Sequence, residues 1–501
     1  MNSTSAKPWL LLLSVFAIAT CGLVYELIAG TLASYLLGDS VMQFSTVIGV
    51  YLFAMGVGSW ISRFITGNLI ATFIRIEFLI ALIGGCSAAM LFLLFGWSVS
   101  FRIPLYTLVF LIGAFVGMEI PLLLRVLEGR FAFKDLVSNV FSFDYIGALL
   151  ASLLFPLVLV PGLGLVRSAF LFGLINASVG MLALHLLREE LPRRTGLVTG
   201  GSLVCLVLAA GLVWGDQITR WAEDAAFPDP VIFAESTPYQ RIVLTASKSD
   251  LRLYLNGNLQ FSTRDEYRYH EALVHPGLSR LPQARRVLVL GGGDGLAVRE
   301  ILRYPQVEEV LLVDLDPAMT RLFSTNPLLT RQNAEALRSP RVKVENADAF
   351  IWLGEKRGPF DFVIIDFPDP SNFSLGKLYS TTFYRRLSQS MAPGAALVVQ
   401  STSPYVARKS FWCVEATLRV CGLETAPYHA FVPSFGEWGF ILASRQPLTS
   451  QARLPEGLRF VDDATLEALS RFPPDISRLE TGPNLLSNQL LVHLFEEEWS
   501  Q

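Results

Sequence analysis

The first 215 or so residues contain about seven apolar runs, each long enough to cross a lipid bilayer. They lie near Trp9–Gly30, Gln43–Ile65, Ile74–Trp97, Ile103–Leu124, Phe141–Pro161, Ser168–Leu187 and Leu197–Trp214. In hydrocarbon no water satisfies backbone N–H and C=O groups, so such segments must be helices that close their own hydrogen bonds. A secretory leader is a single short apolar segment with a cleavage site, which a series of this length does not match. Beyond about Gly215 the apolar excess ends, although 52% of all 501 residues are hydrophobic. The expected fold class is a multi-pass α-helical membrane domain over 1–215, with the lipid bilayer as partner, followed by soluble α/β structure.

Charge bears on orientation and on partners. Arg63 and Arg75 fall in the second connection between runs, Arg125, Arg130 and Lys134 in the fourth, and Arg188, Arg193 and Arg194 in the sixth. The odd connections hold little beyond Arg102 and Arg167. The positive-inside rule then places the N-terminus in the cytoplasm, and seven spans would put the soluble half outside. Three acids, Glu26, Glu119 and Asp144, lie within or beside the runs. An acid there either plays a structural role, protonated or paired with an arginine, or lines a path or site for cations. The net charge of −3 offers no basic face for nucleic acid. The five cysteines lack metal-ligand spacing, so neither a disulfide framework nor a metal site is expected.

From Asp216 to Arg286 the pattern turns to strands, with "RIVLTAS" and "LRLYLNGNLQFS" joined around an Asn256-Gly257 hairpin signal. A small β-rich part is expected over 216–285. "TRDEYRYHEALVH", Thr263 to His275, is too polar for an ordinary core helix and sets His270 beside Glu271. Strands then alternate with helices: "RVLVLGGGDG", "VEEVLLVDLD", "RVKVENAD", "FDFVIIDFPDP" and "GAALVVQ". That order predicts right-handed crossovers and a mainly parallel, doubly wound Rossmann-like sheet over 286–450, followed by a helical tail over 451–501. Ligands of such sheets lie outside the carboxyl ends of the strands.

Each of the first four of those ends carries an acid. Asp294 sits inside the glycine loop with Gly291 and Gly293. Asp314 follows about 20 residues later, where a carboxylate takes ribose hydroxyls. Asp348 suits the exocyclic amine of an adenine, and Asp366 and Asp369 close the fourth strand. One such acid is readily a helix N-cap; five at the ends of one sheet indicate a ligand site. A negative charge within the glycine loop repels a nucleoside with an anionic tail and holds one with a cationic tail. S-adenosylmethionine carries a carboxylate that its decarboxylated form has lost, so Asp294 favours the decarboxylated sulfonium as co-substrate. No prosthetic group is needed. Asp366 and Asp369 remain for a cationic acceptor. An aliphatic ammonium near pKa ~10.4 cannot attack until a base removes a proton, and Asp366 is placed for that step.

At this point the soluble half resembles the polyamine aminopropyltransferases, the spermidine synthases, and the whole chain resembles their membrane-anchored bacterial form. The motifs are "YQ" (Tyr239-Gln240), "TRDEYRYHE", "LGGGDGLAVREIL", "VDLD", "NADAF", "DFPDP" with "LYSTTFY", and "PSFGEWGF". The resemblance implies that Gln240, Asp314, Asp348 and Ala349 contact the methylthioadenosine part. It implies that His270, Asp294, Asp366 and Asp369 contact the polyamine, with Asp366 accepting the proton. Two departures touch the amine pocket. "DPSNFSLGKLY" is a residue longer than the family's usual loop, and Phe435 stands where a tyrosine is usual. Putrescine is the expected acceptor, with cadaverine, agmatine and longer polyamines open. So is pairing with a second copy of the chain. A cytosolic sulfonium donor favours a cytoplasmic catalytic domain, against the arginine count. Competing readings are an S-adenosylmethionine methyltransferase and a membrane polyamine-binding sensor or transporter.

Overall fold

The computed structural model describes residues 6–37, 40–97, 101–128, 132–191, 194–355 and 357–499. Arg130 and Arg193, used above for orientation, lie outside these residues. The chain divides into two compact units, Met1–Val231 and Ile232–Gln501.

The first unit is a helix bundle: α1 (Ala6–Leu37), α2 (Ser40–Ser62), α3 (Leu69–Trp97), α4 (Arg102–Leu127), α5 (Phe133–Leu154), α6 (Val160–Leu186) and α7 (Thr195–Ala226). Among the described residues six helices are long and apolar enough to cross a membrane, because α5 and α6 run together as one stretch, Phe133–Leu186. At ~1.5 Å per residue those 54 residues would reach about 80 Å, far more than a ~30 Å hydrocarbon slab. The stretch is broken at Gly164, whose φ of 72° and ψ of 176° are non-helical. Two contacts show that it folds back. Thr20 Oγ1 donates to Gly147 O (3.2 Å), and the next residue, Cys21, donates through Sγ to Phe172 O (3.4 Å). On a straight helix Gly147 and Phe172 would stand roughly 37 Å apart; here adjacent residues of α1 touch both. The segments read separately as Phe141–Pro161 and Ser168–Leu187 are thus two passes of one interrupted helix.

One expectation fails at the end of this unit. Asp216–Trp221 read as the start of a non-helical, strand-rich part, yet α7 continues through it to Ala226. Arg167 pairs with Asp216 at 2.8 Å, which ties the added turns back to α6.

In the second unit, β1 (Val231–Ser236), β2 (Arg241–Ala246), β3 (Leu251–Leu255) and β4 (Asn258–Ser262) form an antiparallel sheet in that order. Asn256 and Gly257 both have positive φ, 50° and 81°, as a two-residue hairpin turn requires. Helix α8 (Glu266–Leu278) follows and corrects the reading of "TRDEYRYHEALVH". It is a buried core helix. Its polar groups go inside because each finds a partner: Arg299 donates twice to Glu266 (2.9 Å each), and Glu271 accepts the N–H groups of Arg459, Phe460 and Val461 (2.8, 2.8 and 3.0 Å).

The larger sheet contains β5 (Arg286–Gly291), β6 (Glu309–Asp314), β7 (Val342–Asn346), β8 (Phe360–Asp366), β9 (Met391–Gln400), β10 (Glu424–Val432) and β11 (Gly436–Ser444). Its order is β10-β11-β9-β8-β5-β6-β7. The five strands read from the sequence are parallel; the last two add an antiparallel edge. From β5 the chain winds outward through β6 and β7, then restarts at β8 on the other side. The reversal between β5 and β8 opens the crevice where ligands of such sheets bind. Gly291 and Asp366 are register partners at that point.

Candidate active site

The glycine loop is shaped by close approach. Gly291 has φ 80°, and a Cβ there would lie 2.2 Å from the carbonyl oxygen of Asp366. A Cβ on Gly293 would lie 2.7 Å from the carboxyl carbon of Asp314. Neither position admits a side chain, so the loop lies flat across the ends of β5, β6 and β8. The N–H of Gly293 donates to Asp314 Oδ2 (3.0 Å) and that of Asp316 to Oδ1 (2.9 Å). Both carboxylate oxygens are held by backbone, with lone pairs left for hydroxyls. Asp294 accepts from Leu296 N (2.9 Å), at the start of the helix Leu296–Ile301.

Asp366 lies on the other side of the loop, where it accepts a 2.6 Å hydrogen bond from Tyr269 Oη of α8. Asp369, three residues on, accepts from Thr402 Oγ1 (3.2 Å) and Gln400 Nε2 (3.4 Å). Gln400 also donates to the carbonyl of Phe367 and accepts from Trp438 Nε1 at 3.1 Å. Phe435 stands among the same rings, 6.2 Å from Tyr269 and 5.2 Å from Trp438 between centroids. Ser434 donates from N (2.6 Å) and Oγ (2.9 Å) to Asp265, which ties this loop to the start of α8.

These carboxylates stay partly reachable by water, but protein strips most of their solvent shell. Burial pushes Asp314, Asp366 and Asp369 up to about 6 each, and the Asp294 charge adds to the rise at Asp366. Burial also raises Asp294. His270 Nδ1 bonds to the carbonyl and to a carboxylate oxygen of Glu266, both 2.8 Å. Burial opposes charge on this imidazole, but Glu266 outweighs it and lifts the His270 pKa. The charged form of this imidazole is favoured, and its charge acts to lower the pKa of Asp294 and Asp366.

Two expected nucleoside contacts are engaged within the protein. Gln240 Nε2 donates to Asp316 Oδ2 (3.0 Å), two residues beyond the ribose-binding candidate, and Asp316 N-caps the helix Pro317–Thr325. Asp348 caps Ala349–Trp352 through Phe350 N (2.7 Å) and pairs with Lys377 Nζ (2.8 Å). Burial opposes ionisation of Asp348, but the Lys377 bond outweighs it and lowers the pKa. Ala349 is buried directly behind it. Lys377 belongs to the longer loop noted above. Among the described residues no cluster of His, Cys, Asp and Glu could hold a metal ion.

Residues 266–453 match the spermine/spermidine synthase domain family. Over 98% of this chain and 98% of the relative, the sequence is 57% identical to a polyamine aminopropyltransferase (number 2) of Ralstonia nicotianae. The chain belongs to the polyamine aminopropyltransferase family. It is 51% identical to the polyamine aminopropyltransferase of Leptospira interrogans, over 98% of this chain and 99% of that one. These likenesses run through the helix bundle as well as the second unit. Among solved structures, a spermidine synthase in complex with the transition-state analogue AdoDATO aligns with 48% of this chain and 85% of its own, at 21% identity and a TM-score of 0.45. The protein is thus an enzyme of the aminopropyltransferase type, and the methyltransferase reading falls away. Tyr269, Gln400 and Lys377 were not singled out from the sequence of this aminopropyltransferase. Each bonds directly to a candidate acid distant in the chain, and Trp438 of the "PSFGEWGF" motif donates to Gln400.

Proposed function

We propose that this aminopropyltransferase moves the aminopropyl group of decarboxylated S-adenosylmethionine to putrescine, giving spermidine and methylthioadenosine. The observation that carries this reading is Asp366: a desolvated carboxylate with a pKa of about 6, hydrogen-bonded by Tyr269, at the switch point beside the glycine loop. The acceptor ammonium gives a proton to Asp366 as its nitrogen attacks the carbon next to the sulfonium. The new C–N bond forms, the C–S bond breaks, and sulfur leaves as a neutral thioether that needs neither metal nor oxyanion hole. Positioning supplies much of the rate.

In this reading the nucleoside lies over Gly291 and Gly293, with Asp314 on the ribose and Gln240, Asp348 and Ala349 around the base. Asp294 takes the propylammonium, while His270 and Asp369 help to orient the amines. Asp348 is free for an adenine amine only when Lys377 yields one carboxylate oxygen. The bundle over 1–231 anchors the enzyme in the cell membrane, and residues 232–285, 286–450 and 451–501 are the β-rich, nucleoside-binding and tail parts. The catalytic part is placed in the cytoplasm, where the donor is made; a reporter fused after Gln501 tests that. Purified enzyme offered both sulfonium donors and a panel of diamines tests the reaction. Spermidine and methylthioadenosine from the decarboxylated donor are expected. Methyl transfer from intact S-adenosylmethionine, or a better rate with cadaverine or agmatine, would overturn the donor or the acceptor respectively.

A further inference from the structure

The helix bundle contains a cavity of about 140 Å³. Three carboxylates line it, Glu26 on α1, Glu119 on α4 and Asp144 on α5, among apolar walls that include Leu23, Phe73 and Val116. No lysine, arginine or histidine is among its lining residues. Glu119 is only 3% exposed, and its Oε1 has no hydrogen-bond partner. Glu77, fully buried on α3, accepts a hydrogen bond from Asn176 Nδ2 (3.1 Å). The other Glu77 oxygen is unpartnered as well. The two free arginine candidates are committed elsewhere. Arg125 donates to the carbonyls of Ser62 and Ile65, and Arg167 pairs with Asp216.

An unmatched acceptor in so dry a place is costly, and an acid at membrane depth normally faces a cavity that supplies its partner. The missing partner is a hydrogen-bond donor carrying positive charge. A metal ion fits poorly, because hard cations draw six or more oxygens into one shell. Among the described residues no three such side chains converge that closely. Here the charges are spaced, with hydrocarbon walls between them. That pattern complements a chain of methylenes carrying ammonium groups at intervals. An apolar cavity of ~150 Å³ holds one benzene, so about 140 Å³ takes roughly six non-hydrogen atoms, the size of a butane-length diamine segment.

We propose that this cavity binds a diamine-length segment of an aliphatic polyamine, with its two ammonium groups among Glu26, Glu119 and Asp144 and its methylenes along the apolar wall. The site is separate from the catalytic one. It rests on the cavity alone, so it and the acceptor assigned above fail independently.

Equilibrium dialysis of radiolabelled spermidine against the full chain in lipid nanodiscs, without sulfonium donor, tests it. Two equivalents per wild-type chain are expected. Glu119→Gln should leave one, the Asp294→Asn/Asp366→Asn pair should also leave one, and all three together none. The helical circular-dichroism melt reports whether each bundle variant is folded, and methylthioadenosine binding does so for the Asp294→Asn/Asp366→Asn pair; where Glu119→Gln is not folded, Asp144→Asn takes its place. A single equivalent in wild type that Glu119→Gln and Asp144→Asn both leave intact would overturn the proposal. So would a second equivalent that survives both bundle variants, or one displaced by excess sodium or magnesium. A catalytic equivalent that ignores Asp294 and Asp366 would refute the reading of the second unit and leave the bundle site standing.

Discussion

Tyr269→Phe removes one hydroxyl from a ring that is otherwise held by packing. The ring contacts Phe440 and His270 at centroid distances of 5.3 and 5.0 Å, and those contacts do not need the oxygen. What is lost is the 2.6 Å hydrogen bond to Asp366 Oδ1. That bond favours the ionised carboxylate, against burial and the nearby Asp294 charge, which together hold the pKa at about 6. A hydrogen bond to a charged group contributes ~1.5–3 kcal/mol, and one pKa unit corresponds to ~1.4 kcal/mol. The variant should therefore carry Asp366 ~1–2 units higher. A general base works only when ionised, so the rate falls as pH drops through its pKa. In kcat/KM, which reports the free enzyme, the acidic limb should move from about 6 to between ~7 and ~8, costing roughly ten-fold at pH ~6. The plateau above it should stay within a few-fold of wild type. The amine itself titrates near ~10.4 and does not distort the profile below pH ~9. An unmoved limb would refute the role of Tyr269 in setting this base. A lowered plateau over an unmoved limb would show that Tyr269 orients the amine instead.

Asp366→Asn should lower turnover by ~10²–10⁴-fold while methylthioadenosine still binds; a loss of only a few-fold would shift the base to Asp369. The same variant should raise the melting temperature of the ligand-free enzyme. A folded pKa of about 6 against ~3.9 unfolded means the native state binds the extra proton, so stability falls as pH rises between those values. The ionised carboxylate then costs up to ~3 kcal/mol at neutral pH, and a thermal melt that is unchanged or lower at pH ~7 would contradict that sign. Asp294→Asn should narrow the preference for the decarboxylated sulfonium over its parent, because attraction is lost for one ligand and repulsion relieved for the other; titration calorimetry of both nucleosides gives the ratio, and an unchanged ratio would remove Asp294 from donor selection.

What could be read from the sequence was what is local along the chain. Gly291, Gly293 and Asp294 follow β5 directly, and Asp314 and Asp366 end their own strands, so one pattern of strand, loop and acid exposed them all. The groups that tune those acids come from far away. Tyr269 is 97 residues from Asp366, Gln400 is 31 from Asp369, and Lys377 is 29 from Asp348. No spacing rule links such pairs; the sheet order does. Helix α8 misled for a related reason. Its Glu266 and Glu271 look like surface residues until Arg299 and the backbone of 459–461 arrive to satisfy them. In the bundle, the break at Gly164 falls in the gap between the runs read as Phe141–Pro161 and Ser168–Leu187, so the turn was legible as an interruption of the apolar pattern. The antiparallel pair β10–β11 was visible only as a motif, because its register depends on β9.

The balance of charge links the site's acids to the order of events. On the proposed reaction the donor brings two positive charges, a sulfonium and an ammonium, and putrescine brings two more. After transfer the thioether is neutral, spermidine carries three, and one proton has left. The acids of the amine side, Asp294, Asp366 and Asp369, then face the whole remaining charge on a single molecule. Methylthioadenosine retains only neutral contacts to Asp314 and the loop backbone, whereas spermidine lies across the positions of both original amines. The nucleoside should therefore leave readily and the polyamine slowly. A second donor cannot enter while the propylammonium end of the product occupies Asp294, so spermidine must compete with the donor as well as with putrescine. Inhibition by added spermidine that is competitive against putrescine alone would separate the two amine positions and break this account. Competition against both would tie Asp294 and Asp366 to the two ends of one product.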